Sequence, residues 1–391
     1  MTRIIILITS LILSGPLCGN ASTPDSTEVF LLTCLPGKTI VTVYGHSAIR
    51  MVKKSEGFDK VYSWGVYDFS TPHFAWKFAQ GRLNYLLEEV SYENFMQQYL
   101  FEKRTVVSQK IRMSNAEAET LMQYIHVNLR PENVLYLYDF YYDNCATRIR
   151  DILEKSMEGR IIYPVTEYSK LPSFKKLLNQ SEQPMPWLIF GTDLLIGKAG
   201  DKKADFREQM YLPEYLKNNL SQACIKNSGE SAPLLEKAEI VLDFQQLESA
   251  PKYTMIPIIL SCLLLVIFLI LSVFHFPQKL VNVLDGIFIL TLSLTSILLV
   301  FTSFFTDHQV MKMNYNLIWL NPFLLIAFIT LLIRKAEKFW FRIICISPAG
   351  FLLAAAFIPQ SINLAMYPLI VILILRSGMR GWYLSSKRDM R

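Results

Sequence analysis

The chain has 391 residues, 52% of them hydrophobic, with a mean hydropathy of +0.27 and a formal net charge of +6. That is too apolar for an ordinary soluble protein. The positive excess is no argument for nucleic acid, because much of it sits between and after long apolar segments. No GxGxxG or Walker motif and no metal-ligand spacing occurs, so neither a cofactor nor a metal is expected.

The N-terminus, MTRIIILITSLILSGPLCGNAS, has one basic residue, an apolar core and then small residues, the layout of a secretory signal. Residues 1–21 are expected to form that signal, with Gly19 and Ala21 as the small pair, and residues 22–250 an exported domain. An uncleaved anchor would leave that domain on the same side. Cys18 follows Leu17, where a lipid-attachment site would want a small residue. The exported part keeps Cys34, Cys145 and Cys224, an odd number, so at least one stays unpaired in an oxidising compartment. A Cys34–Cys224 bond leaving Cys145 free would suit a nucleophile, and spacing alone does not establish it.

Glu28–Val52 reads as two strands around Leu35-Pro36-Gly37-Lys38. Lys53–Asp59 reads as a polar hairpin tip and Lys60–Phe69 as an aromatic strand. His46 lies in the second strand, in YGHSAIR, with Gly45 as a candidate bulge beside it. Thr71–Tyr85 is an amphipathic turn or helix rich in Phe, Trp and Tyr. Ser91–Leu100 and Ser114–Leu129 read as helices, the latter opening with a Ser114/Glu117 capping box. His73 and His126 are assigned no role.

The stretch Tyr136–Ile152, YLYDFYYDNCATRIRDI, passes from an aromatic strand to a helix capped at Asp143-Asn144, with Cys145 in the first turn. Ile149, Ile152, Leu153 and Met157 recur at helical spacing and mark a buried face. A thiol at a helix N-terminus sits at the positive end of the macrodipole, which favours thiolate, and Arg148 and Arg150 add charge nearby. Asn144 is both a cap and a candidate orienting or oxyanion group. A helix-start Cys and a strand His, far apart in sequence, are the usual pieces of a sulfur nucleophile. Taken alone, these two residues are more often packing groups.

Residues from about 160 to 250 are mixed, and PWLIFGTDLLIG suggests close packing. Apolar segments follow near Thr254–Phe276, Val283–Phe305, Asn316–Ile333, Phe339–Ile358 and Ile362–Leu375. Residues 251–391 are thus expected to form an all-α transmembrane domain of about five helices. Its basic tail and the RKAEKFWFR loop would lie in the cytoplasm. The turn Thr306–Pro322 falls on the exported side. There His308, Asn314, Asn316 and Asn321 are candidates to bind a lipid headgroup or dock the exported domain, against the equal reading of a loop with ordinary caps and an interfacial Trp319.

LLTCLPG, YGHSAIR, YSWGVYDF, FAQGRLNYLLEE, YDFYYDNCATRIRDIL and PWLIFGTDLLIG, in this order, resemble the Lnb family of Bacteroidota-type bacteria. The resemblance runs from Glu28 to the C-terminus and is strongest over Glu28–Leu153. It implies a lipoprotein N-acyltransferase of the bacterial inner membrane with an α+β, permuted papain-like (NlpC-like) periplasmic domain. By motif, Cys145 would be the nucleophile and His46 the base, with Ser63 or Tyr62 as candidates to orient the imidazole. The implied partners are a membrane phospholipid as acyl donor and a diacylated lipoprotein as acceptor. Three readings compete: an NlpC-like cell-wall cysteine peptidase or amidase, a phospholipase, and a non-catalytic membrane scaffold. The membrane half argues against the first, and His46 and Cys145 within their motifs argue against the last.

Overall fold

The computed structural model describes residues 26–226, 231–244 and 255–383. The signal segment and the end of the basic tail lie outside the described residues. The first part of the chain runs β1 (Glu28–Cys34), β2 (His46–Lys53), β3 (Phe58–Val66), α1 (Phe74–Ala79), β4 (Asn84–Ser91), α2 (Tyr92–Glu102), β5 (Val106–Lys110), α3 (Asn115–Leu129), β6 (Leu135–Leu137) and α4 (Cys145–Ser156). It continues with β7 (Ile161–Ile162), α5 (Phe174–Ser181), α6 (Pro186–Leu195), α7 (Pro213–Gln222), β8 (Cys224–Lys226), β9 (Ser231–Pro233) and β10 (Glu239–Leu242).

Seven strands make one antiparallel sheet in the order β10-β5-β1-β2-β3-β4-β6, and β7, β8 and β9 make a small second one. The central strands are apolar at nearly every position because both faces of the sheet are covered. Leu31, Ile49, Met51, Tyr62 and Trp64 pack under α3 and α4. Leu32, Cys34, Ala48 and Val61 pack under Phe95 and Tyr99 of α2. Each buried Leu, Ile, Val, Met or Phe among them contributes about 1.5–3 kcal/mol on burial. The hairpin tip between β2 and β3 closes on Gly57 at φ +62, as the polar run predicts. The bulge falls elsewhere than expected: β3 shifts register between Trp64 and Val66, at Gly65 with φ +88, and Gly45 sits just ahead of β2.

The Cys34–Cys224 bond left open by the sequence is not formed. Both cysteines are free, Cys34 inside the large sheet and Cys224 in the small one. The Ser114/Glu117 capping box is present, with Ser114 N–H donating to Glu117 at 2.7 Å.

The second part is helical: α8 (Ile256–Val273), α9 (Gln278–Phe304), α10 (Phe323–Ile333), α11 (Glu337–Ala354) and α12 (Met366–Gly378). Among the described residues, four stretches are long and apolar enough to cross a membrane: Ile256–Val273, Gln278–Phe304, Tyr315–Ile333 and Glu337–Phe357. The expected fifth segment is the shorter α12, 13 residues long and packed inside the bundle, with Met366, Ile370, Ile372 and Leu373 buried. At one end of the bundle, fully buried Asp285 accepts from Arg376 (2.7 and 3.0 Å) and Arg380 (2.7 Å), and Arg380 also reaches Glu337 (2.8 Å). Charges this deep persist only when paired and hydrogen-bonded, as these are.

The sheet-containing part docks on the opposite end. Gly197 N–H donates to Val310 (2.9 Å), Lys198 N–H to Met313 (3.2 Å) and Asp307 N–H to Gln80 (2.8 Å). Trp319, expected at an interface, is buried and donates to Asn316 at 3.0 Å.

Candidate active site

α4 starts where the sequence places it. Asn144 Oδ1 accepts from Ala146 N–H (2.8 Å) and Thr147 N–H (3.0 Å), while Asn144 N–H donates to Thr147 Oγ1 (2.7 Å). The Asn144 amide also donates to the carbonyls of Phe140 (2.8 Å) and Tyr211 (3.0 Å). Every polar atom of its side chain is thus committed, which makes Asn144 the group that positions Cys145. An oxyanion role would require breaking these bonds. Ile149, Ile152 and Leu153 then press α4 onto Ile49 and Met51 of β2. This packing sets the first residue of the helix against the first residues of the strand.

There the backbone N–H of Ser47, next to His46, faces the Cys145 sulfur, together with the N–H groups of Ala146 and Cys145 itself. Burial nevertheless pushes the thiol up to about 11, against the pull of these donors and of the Arg104 cation. The helix start therefore does not hold a thiolate, contrary to the sequence expectation, because desolvation outweighs the dipole. Nor are Arg148 and Arg150 the acting cations. Arg148 is paired with Asp143 (2.5 Å) and lies over the Tyr136 ring (3.5 Å), and Arg150 is paired with Asp151.

His46 opens β2 opposite Cys34 of β1. Burial, with Arg104 nearby, lowers its imidazole to about 4, against the opposing charge of Glu102. Arg104 is itself fixed by Glu102 (2.8 Å) and the carbonyls of Leu35 (3.0 Å) and Cys34 (3.5 Å). By strand alternation His46 shares the parity of Ala48, which faces α2, whereas Ser47 shares that of Ile49 and Met51, which face α4. Among the described residues no hydrogen bond joins the imidazole to Cys145. What the fold brings together is the His46–Ser47 backbone and the thiol, with both titrating groups uncharged near neutrality.

Tyr62 does not serve the imidazole: its hydroxyl reaches Met122 at 3.7 Å. Ser63 has the parity of Val61, on the face toward α2, and its buried hydroxyl has no partner among the described residues. The hydroxyls of Ser47 and Tyr136 are likewise buried and unpartnered. A Cβ on Gly65 would lie 3.6 Å from Cys145 Cβ and 3.8 Å from the Tyr136 hydroxyl, so both crowd the same bare stretch of β3.

The loop residues lie apart from this centre, at the docking junction. His308 Nε2 meets the Phe78 carbonyl (3.1 Å). Asn314 donates to Leu194 (2.8 Å) and Leu195 (3.0 Å), and Asn316 to Leu194 (3.1 Å). Asn314 and Asn316 are buried, so their amides hold the two halves together. Sequence reasoning missed Arg104, Tyr136 and Glu182. The last, pushed up to about 7 by burial, accepts from Tyr44 (2.6 Å), whose ring packs edge-on against Phe140. Arg104 and Glu182 lie in no recognisable motif, and Tyr136 opens the stretch that leads to Cys145 with nothing local to mark its hydroxyl; the strand registers and the path of α5 reveal them. A groove of about 590 Å³ by Tyr92, Met96 and Leu242 lies on the α2 face and does not include Cys145.

Residues 19–177 match the Lnb N-terminal periplasmic domain, and residues 248–388 match the Lnb transmembrane domain. No curated protein and no solved structure matches the chain. The two matches cover both halves in the expected order, and they make the part that carries Cys145 and His46 periplasmic. The chain belongs to the Lnb family, as a lipoprotein-related membrane protein with a periplasmic N-terminal domain and a helical membrane domain.

Proposed function

We propose that this protein is a lipoprotein N-acyltransferase of the inner membrane, moving an acyl chain from a phospholipid through Cys145 to the α-amine of a diacylated lipoprotein cysteine. The observation that carries the reading is Cys145 at a fully capped helix start, against the backbone of His46–Ser47, in a periplasmic domain docked on a membrane bundle. The order of His46 strand before Cys145 helix on one antiparallel sheet agrees with a permuted papain-like domain. The distribution of charge agrees with a cytoplasmic C-terminus, since Arg334, Lys335, Arg342, Arg376 and Arg380 cluster at or beyond helix ends away from the docked domain.

In the first half-reaction the Cys145 proton passes through one water to the neutral imidazole of His46, at the start of β2, as the thiolate attacks an ester carbonyl. The cap takes the N–H of Ala146 and Thr147 and leaves that of Cys145 for the oxyanion, with the Tyr136 hydroxyl as a second donor. The intermediate collapses to a thioester, and the lysophospholipid alkoxide takes the proton from His46. In the second half-reaction the α-amine attacks the thioester, an amide forms, and the proton lost by the amine restores the thiol. Ser63 is the group on hand to orient the imidazole.

The test is reconstitution in liposomes with a diacylated lipopeptide and, separately, muropeptides. The lipopeptide gains one acyl chain as lysophospholipid appears, and Cys145→Ala abolishes both. Fatty acid without acylated peptide would make the protein a phospholipase, and cleaved muropeptide would make it a peptidase. Tyr136→Phe is expected to slow thioester formation about tenfold or more with unchanged folding. An unchanged rate would remove Tyr136 from the oxyanion site.

A further inference from the structure

We propose that the groove between α1 and α9 takes one acyl chain from the periplasmic leaflet, and that a row of partly exposed rings leads it from there to Cys145. The groove, about 460 Å³, is lined by Trp76, Gln80, Ile297, Val300, Phe301 and Phe305. One wall is the docked end of a membrane-spanning helix whose outward residues Leu294, Ile297 and Leu298 are 58%, 44% and 48% exposed. The other is α1, whose Trp76 stacks on Phe301 at 5.5 Å. α1 is pinned at that height by Arg82 to Asp307 (2.6 Å) and by His308 to the Phe78 carbonyl (3.1 Å). Two large rings, Trp76 and Phe78, remain more than half exposed there, a concentration that marks a binding surface. A groove built half from a span and opening at its periplasmic end has lipid hydrocarbon as its natural occupant.

From this groove the rings continue toward the thiol. Phe78 stacks on Phe74 (6.5 Å), Phe74 meets Tyr67 (5.8 Å), Tyr67 meets Tyr85 (5.4 Å) and Tyr85 meets Tyr138 (4.5 Å). Tyr138 ends the row beside Gly65, where an added Cβ would lie 3.4 Å from its ring and 3.6 Å from Cys145 Cβ. These rings differ from those of the core. Tyr62 and Trp64, deeper in the cluster against which Tyr85 and Tyr138 pack, are fully buried, whereas Tyr67, Phe74, Tyr85 and Tyr138 keep part of their surface open. A chain laid along them covers apolar surface that folding leaves wet, which is a driving force for drawing it out of the leaflet. The bare backbone at Gly65 keeps the last step of the route open.

This inference rests on the acyl-transfer reading for the chain's destination, so the decisive experiment needs no turnover. The full-length Cys145→Ala protein is reconstituted in phosphatidylethanolamine/phosphatidylglycerol vesicles doped with a phospholipid bearing a diazirine on one acyl chain. Irradiation followed by peptide mapping reads out the route. Adducts are expected on the peptides carrying Tyr67, Phe74, Trp76 and Tyr85, as well as on the lipid-facing side of α8. Trp76→Glu should lower the adducts on Tyr67 and Tyr85 about fivefold or more while α8 stays labelled, and Trp76→Phe should restore them. Labelling confined to the membrane helices, or unchanged in Trp76→Glu, overturns the route. Labelled rings in Cys145→Ala, with a wild-type protein that transfers no acyl group, would leave the route standing and remove the proposed function.

Discussion

The neutral resting pair makes a quantitative prediction for His46→Ala. In the wild type the thiol sits at about 11 and the imidazole at about 4, so neither changes charge between those values. With His46 as base, thioester formation should be nearly flat from pH 6 to 9, without the limb near 6.5 that an ordinary histidine gives. Without His46 the reaction must wait for thiolate formed spontaneously, a fraction on the order of 10⁻⁴ at pH 7 for a thiol near 11. General-base catalysis is worth about 10²–10⁴-fold, so His46→Ala should lose that factor at pH 7. It should then regain about tenfold per pH unit as the thiolate fraction grows, cutting the loss about a hundredfold by pH 9. The assay is intact-mass detection of the Cys145 acyl adduct against time in phospholipid vesicles at each pH. A wild-type inflection near 6.5, or a His46→Ala profile parallel to the wild type, would refute the neutral-pair argument.

Asn144→Ala removes the cap from Ala146 and Thr147 and strips the carbonyls of Phe140 and Tyr211 of their donor. A loss of about 2–3 kcal/mol is expected in thermal unfolding, with slower adduct formation because Cys145 is the first helical residue. Gly197→Ala puts a Cβ 2.1 Å from the Lys312 carbonyl oxygen, a backbone atom at the junction. Hydrogen exchange of 306–322 should rise, and unchanged protection would show that the junction yields without opening. Asp285→Ala leaves the Arg376 and Arg380 guanidiniums buried without their shared carboxylate, which should cost about 3–5 kcal/mol of membrane-domain stability in detergent. A loss under about 1 kcal/mol would mean that water or lipid phosphate replaces it.

What could be read from the sequence was local or periodic. The strands from Glu28 to Val66, the caps at Ser114 and Asn144, and the apolar spans each follow from residues within a few positions of one another. The two motifs also hold Cys145 and the Ser47 backbone N–H that the fold sets against its sulfur. What stayed hidden depends on contacts between distant parts. The dipole argument for a thiolate was sound as far as it went, but burial under α3, α7 and the sheet decides the Cys145 titration, and no local pattern records burial. Strand parity, which directs the His46 ring toward α2, depends on where β2 begins relative to Gly45. Trp319 was placed by its type at an interface, yet its indole is fully buried with a partner three residues away. Tyr211, whose carbonyl receives the Asn144 amide, comes from a stretch that no motif marks.

The junction constrains how the proposed chemistry can run. The periplasmic half is held to the bundle at three separate places: Arg82 and Phe78 on the 307–308 turn, Leu194 and Leu195 on Asn314 and Asn316, and Asp193 and Asp201 on Asn363 and Ser361. Swinging the domain away would exchange all of these hydrogen bonds for water at once, each at a net cost of about 0.5–1.5 kcal/mol. Cys145 is therefore fixed relative to the ends of the spans. On the acyl-transfer reading, the lipid carbonyl must travel to the thiol, and the acceptor amine must arrive at the same fixed point. A fixed carrier between two membrane-anchored substrates gains by orientation what it gives up in reach, since both diffuse in the plane below it. On the same reading, a thioester formed at the end of the aromatic row would be screened from water by the acyl chain it carries, which favours the amine.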